Sequence, residues 1–126
     1  MLGLSPVVAF VPTLDLARAR RFYGTTLGLR LQGVTDGACV FRAGATELRV
    51  TRVDRLRPQP FTVLGWVVAD IARTVDELAD AEVRFTRFEQ ADQDERGIWT
   101  SPDGARVAWF TDPDGNLLSL TQLPDS

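Results

Sequence analysis

ARVAWFTDPDGNLLSLTQ, residues 105–122, is the stretch that decides the fold. Two runs of strand-forming residues, Arg106–Thr111 and Leu117–Thr121, flank Asp112-Pro113-Asp114-Gly115-Asn116. Proline presets φ, Gly115 and Asn116 tolerate positive φ, and the aspartates can accept bonds from nearby amides. The sequence therefore predicts a tight strand-turn-strand hairpin. Alternation places Leu118 and Leu120 on one face, which reads as core. Leu117, Ser119 and Thr121 fall on the other face, half polar as a pocket wall would be.

Outward from the hairpin lie a Pro102-Asp103-Gly104 turn, a short strand Ile98–Thr100 and an acidic loop Glu89–Gly97. Before these come a strand Val83–Phe88, a helix from an Asp70 cap through Ala81, and an apolar strand Thr62–Ala69. The first half of the chain repeats the order. Val7–Val11 is a strand ended by Pro12, Asp15 caps a helix over Leu16–Leu27, and Gly28 stops it. Strands Leu29–Val34, Cys39–Arg42 and Glu47–Val53 follow. Asp15-Leu16-Ala17-Arg18 recurs as Asp70-Ile71-Ala72-Arg73, and Phe41 with Leu48 and Val50 parallels Phe110 with Leu118 and Leu120. The reading is an α+β single domain of two βαβββ modules, about 5–53 and 61–122, joined by a polar, proline-bearing linker at 54–60.

Composition narrows the function classes. The chain has 126 residues, 44% hydrophobic and 25% charged, with a net charge of −3 and a pI near 4.9. That charge argues against a nucleic-acid binder, and no apolar run is long enough to span a membrane. The opening MLGLSPVVAF lacks a charged n-region, so a cytoplasmic location is expected. All 14 basic residues are arginine, and histidine is absent. The commonest general base, the commonest nitrogen metal ligand and any lysine Schiff base are thereby excluded. Cys39, the single cysteine, reads as a small buried hydrophobe.

Leu14-Asp15-Leu16 leading into Arg21-Phe22-Tyr23 and Leu27-Gly28-Leu29, with Asp112-Pro113-Asp114-Gly115-Asn116 near the end, resembles the glyoxalase/bleomycin-resistance/extradiol-dioxygenase superfamily. The similarity, also known as the vicinal oxygen chelate fold, covers essentially residues 5–122. It implies two modules whose curled mixed sheets surround a concave cavity with helices outside, often in a homodimer. It also implies a divalent metal held from four strands. Counting from the motifs places those positions at Val8, near Arg49, at Leu64 and at Ser119. Valine, leucine, serine and a protonated guanidinium do not make a metal site, and a slip to Glu47 supplies one carboxylate only. No metal and no other cofactor is expected.

If Val8 and Phe10 on the first strand, Leu64 and Trp66 on the fifth, and Ser119 and Thr121 beside them line one cavity, it is apolar and aromatic with hydroxyls on one wall. Trp99 and Trp109, brought together across Pro102–Gly104, would add stacking surface. Arg49 would either clamp a carboxylate or enolate or pair with a neighbouring acid. Asp92, Asp94, Gly97 and Asp103 fall at calcium-loop offsets, but Arg96 sits where an oxygen ligand is needed and strands flank the loop, which favours a solvated loop. The expected function is metal-independent binding of a partly apolar or aromatic small molecule, with antibiotic or metabolite sequestration as the role and no catalytic residues. The alternatives are a metal-free lyase- or isomerase-type enzyme of the same superfamily and a regulatory or interaction module with a vestigial pocket.

Overall fold

The computed structural model describes residues 1–125. The chain divides into two compact units, Met1–Arg57 and the part from Pro58 onward, so the division falls inside the stretch read as a linker. Each unit is a βαβββ arrangement in which one parallel pair closes an otherwise antiparallel four-stranded sheet. Among the described residues no helix is long and apolar enough to cross a membrane.

In the first unit β1 (Val8–Thr13), β2 (Arg30–Val34), β3 (Ala38–Ala43) and β4 (Thr46–Arg52) lie in the order β1-β4-β3-β2. Pro12 does not end β1, which runs on to Thr13 where a strand ended by Pro12 is expected. Pro12 pairs in register with Thr51, and β1 is at the sheet's edge, where an absent donor breaks no ladder bond. Helix α1 (Leu16–Arg20) starts at Asp15, whose carboxylate accepts from the Arg18 N–H at 3.1 Å. From Arg21 to Thr26 the helix widens to π geometry, closing with Leu27 N–H on Phe22 O at 2.9 Å. The expected single helix over Leu16–Leu27 is thus two segments, the second seating Tyr23 in the core with its ring 6.1 Å from Phe41. Val11, Cys39, Phe41, Leu48 and Val50 form the sheet face beneath this helix, all at most 1% exposed.

In the second unit β5 (Thr62–Val67), β6 (Trp99–Thr100), β7 (Arg106–Thr111) and β8 (Leu117–Gln122) lie in the order β5-β8-β7-β6, with α2 (Ile71–Asp80) capped by Asp70 through the Arg73 N–H. Helix α2 buries Ile71 and Val75. The expected strand Val83–Phe88 is reduced to a bridge between Phe85 and Phe110 and one bond from Thr86 N–H to Trp109 O at 2.7 Å. The position beside β7 is shared between this short contact and β6, with 87–98 looped out between them. Side chains hold the loop where ladder bonds are missing. Gln93 donates to Thr86 O at 3.0 Å and Gly97 O at 2.8 Å while accepting from Phe88 N–H at 2.8 Å. Asp94 accepts from the N–H groups of Arg96 and Ile98, both at 2.9 Å, so its carboxylate serves backbone amides. Arg96 ties the loop to α2 through both oxygens of Asp76, at 2.9 and 3.2 Å.

The hairpin between β7 and β8 forms around one carboxylate. Asp112 Oδ1 accepts from Asp114 N–H at 3.0 Å and Asn116 N–H at 2.9 Å, and Oδ2 accepts from the Asn116 side-chain amide at 2.8 Å. Asp112 and Asn116 are both buried. Gly115 takes the left-handed conformation at φ +90 that the turn requires, and Pro58 leaves little room for a side chain there.

Candidate functional site

Each sheet has one face under its helix and one free of it, and strand register decides which side chains reach the latter. On the first sheet, Val8 pairs with Glu47 and Phe10 with Arg49, so these four share the helix-free face. Phe10 is 64% exposed there, a large apolar area on a sheet whose other face is closed. Arg49 donates from Nε to Glu47 Oε2 at 2.8 Å, both side chains partly exposed. Of the two roles expected for Arg49, the pairing with a neighbouring acid is present, and the carboxylate is two residues away on the same strand face.

On the second sheet the expected grouping is corrected. Leu64 and Trp66 do not lie beside Ser119 and Thr121. Had β5 continued from the Thr62–Leu117 pair without interruption, Leu64 would meet Ser119 and Trp66 would meet Thr121. A bulge at Val63 intervenes, and Leu64 pairs with Leu118 and Trp66 with Leu120. Both therefore sit on the helix-covered face, where Trp66 stacks on Phe110 at 6.3 Å. Gly65 and Val67 take the positions beside Ser119 and Thr121 instead. A Cβ on Gly65 would stand 2.5 Å from Ser119 Oγ, so the hydroxyl occupies the space that glycine leaves, and Ser119 is only 9% exposed.

Trp109 pairs with Ser119, and Trp99 with Val107, so both indoles fall on this helix-free face. Their ring centroids are 6.3 Å apart at 40°, and Phe88 meets Trp109 edge-on at 5.2 Å and 89°. Three aromatic rings thus stand beside the Ser119 and Thr121 hydroxyls. Edge-to-face and tilted contacts of this kind hold the indoles in fixed orientations and leave ring area for a flat partner. Sequence reasoning missed Phe88, the last residue of the expected strand, and Gly65. The second had a signal, since a glycine inside a strand pattern marks a close approach.

These positions do not fit a divalent metal. Val8 and Gly65 offer no donor, the Arg49 guanidinium stays protonated, and the single carboxylate, Glu47, is engaged by Arg49. Among the described residues no group of three or more acidic or cysteine side chains is placed to hold a metal ion. The Cys39 thiol, 1% exposed beneath α1, has its pKa pushed up by burial against a smaller opposing pull from Arg20. That leaves it without nucleophilic character at neutral pH.

Two βαβββ units, each with a helix on one sheet face and an aromatic or arginine-bearing face opposite, define an α+β protein of a recognisable superfamily. Its sequence pattern matches residues 4–120, and the chain belongs to the Glyoxalase/Bleomycin resistance protein/Dioxygenase superfamily. Among solved structures it is similar to a superfamily member from Sphaerobacter thermophilus, with 22% identity over 98% of this chain and all of that one and a TM-score of 0.74. A glyoxalase family protein from Bacillus anthracis is 19% identical over 94% and 93% of the two chains, also at 0.74. A third, from Alicyclobacillus acidocaldarius, is 18% identical over 97% and 93%, at 0.72. At these identities the likeness is one of fold. No curated protein matches the chain.

Proposed function

We propose that this protein binds a small molecule with a flat, partly apolar body, without a metal and without altering its ligand, in the manner of a sequestering protein. The observation that carries the reading is the aromatic group Phe88, Trp109 and Trp99 on the helix-free face of the second sheet, next to Ser119 and Thr121. Aromatic rings supply large contact area at low entropic cost, and hydroxyls fix orientation. The poverty of metal donors at the superfamily's ligand positions supports the metal-free part. A cytoplasmic, homodimeric protein is the form in which we expect it to work.

The test is a fluorescence screen of aromatic compounds against chelator-washed protein. The expected result is quenching of tryptophan emission by one compound class, unchanged when zinc, nickel, manganese or iron is added, with the compound recovered intact. Stoichiometric metal retained after washing, or conversion of the compound, would overturn the reading.

A further inference from the structure

The first sheet carries a cross-strand pair of arginines on its helix-free face. Arg30 on β2 stands directly opposite Arg42 on β3, and Arg42 is opposite Glu47 on β4. The row Val8–Glu47–Arg42–Arg30 therefore crosses the helix-free face, one step from the row Phe10–Arg49–Val40. The Glu47 carboxylate is on Arg49, and among the described residues neither the Arg30 nor the Arg42 side chain has an ion-pair or hydrogen-bonding partner. Like charges directly opposite across an antiparallel pair are destabilising, so the fold gains nothing from this juxtaposition. Gly33, past the irregularity in β2, leaves open space, since a Cβ there would meet nothing within 4 Å. The surroundings reinforce the charge: residues 1–57 hold nine arginines against four carboxylates, while the rest of the chain holds five against thirteen.

We infer that Arg30 and Arg42 form an anion site, taking the carboxylate or phosphate end of a ligand whose apolar body lies along Val40 and Phe10. Two guanidinium forks side by side offer parallel N–H donors to such a group, and its charge offsets their mutual repulsion. This site lies on the first unit, and the aromatic group on the second; it takes an anionic aromatic or apolar compound.

Calorimetric titration of the full chain with benzoate, phenyl phosphate, inorganic phosphate and the neutral benzamide tests it. Benzoate or phenyl phosphate is expected to bind at least tenfold more tightly than benzamide, to weaken with added salt and to compete with inorganic phosphate. The preference between the two anions distinguishes a carboxylate from a phosphate ligand. Arg30→Gln and Arg42→Gln are each expected to weaken the anions about tenfold, the loss of one charge-assisted hydrogen bond. Both variants are expected to melt no lower than the parent without ligand, because repulsion is relieved. Benzamide binding as tightly as benzoate would overturn the anion site and leave the binding function standing. So would a fall in the ligand-free melting temperature of either variant, which would make the pair structural. If no probe binds, the anion site is overturned, and the fluorescence screen decides the binding function separately.

Discussion

Replacing Asp112 by alanine removes the acceptor on which the β7–β8 hairpin is built. The bonds lost include those to Asp114 N–H, Asn116 N–H and the Asn116 side-chain amide. A hydrogen bond to an ionised group contributes about 1.5–3 kcal/mol net, and a buried donor left without a partner costs about 1–3 kcal/mol. Asp114 is part-exposed and its amide can turn to water, so it adds little. The two Asn116 donors cannot, because that residue is 3% exposed. Allowing for non-additivity, Asp112→Ala should cost about 3–4 kcal/mol, a large share of a typical stability of about 5–15 kcal/mol. Asp112→Asn keeps one oxygen for the backbone amides but turns an NH2 toward the Asn116 amide, and should cost about 1–2 kcal/mol. In the exchanged pair Asp112→Asn with Asn116→Asp, donor and acceptor again face each other, and about 1 kcal/mol should return. Urea unfolding of the parent, Asp112→Ala, Asp112→Asn, Asn116→Asp and the exchanged pair measures these costs, the last three closing a double-mutant cycle with the parent. A cost under about 0.5 kcal/mol for the alanine variant, or no coupling between positions 112 and 116, would refute the reasoning.

Gly65→Ala places a methyl against Ser119 Oγ and should destabilise by about 1–3 kcal/mol in urea unfolding, with part of the loss recovered in the Gly65→Ala, Ser119→Ala double variant. Trp109→Phe should reduce ligand-dependent quenching to the share carried by Trp99, whereas Trp66→Phe should leave it intact, since Trp99 and Trp109 lie on the helix-free face and Trp66 does not. The Asp76 carboxyl is held below its ordinary pKa by its hydrogen bonds to Arg96. Its folded pKa is depressed, so its small contribution is present above the unfolded value of about 3.9 and lost as pH falls below that. Comparing unfolding of parent and Asp76→Asn between pH 6 and 2.5 should show a difference that narrows toward the acid end; because the Asp103 carboxyl is lowered as well, the difference between the two proteins is the quantity to read. Cys39 should react with a disulfide reagent at pH 8 only as fast as the protein opens, a rate followed by thiolate absorbance.

How much of this could be read from residue order alone depended on whether the cause was local. Asp15 and Asp70 were legible as helix caps because a cap is a side chain and an amide three residues on. The Asp112–Asn116 turn was legible for the same reason, though of the two residues thought to tolerate positive φ only Gly115 uses it. The duplicated module was legible because both copies keep their apolar spacing, and the absence of histidine is a matter of composition that needs no fold. The widening of the first helix was not legible, since Leu16–Leu27 has one apolar pattern in α or π form. Nor was the loop that interrupts Val83–Phe88, where Gln93 replaces ladder bonds from several residues away.

Sequence by itself determined the α+β class, the two modules, the hairpin and the chemical character of the available side chains. Tertiary structure alone decided which of those side chains share a face. A strand's alternation is exact only within an uninterrupted ladder, and one extra residue at Val63 reverses every side chain after it relative to β8. That reversal puts Leu64 and Trp66 under α2 and sets Gly65 against Ser119. Such a bulge arises from the pairing of two distant strands, so neither strand's own residues announce it.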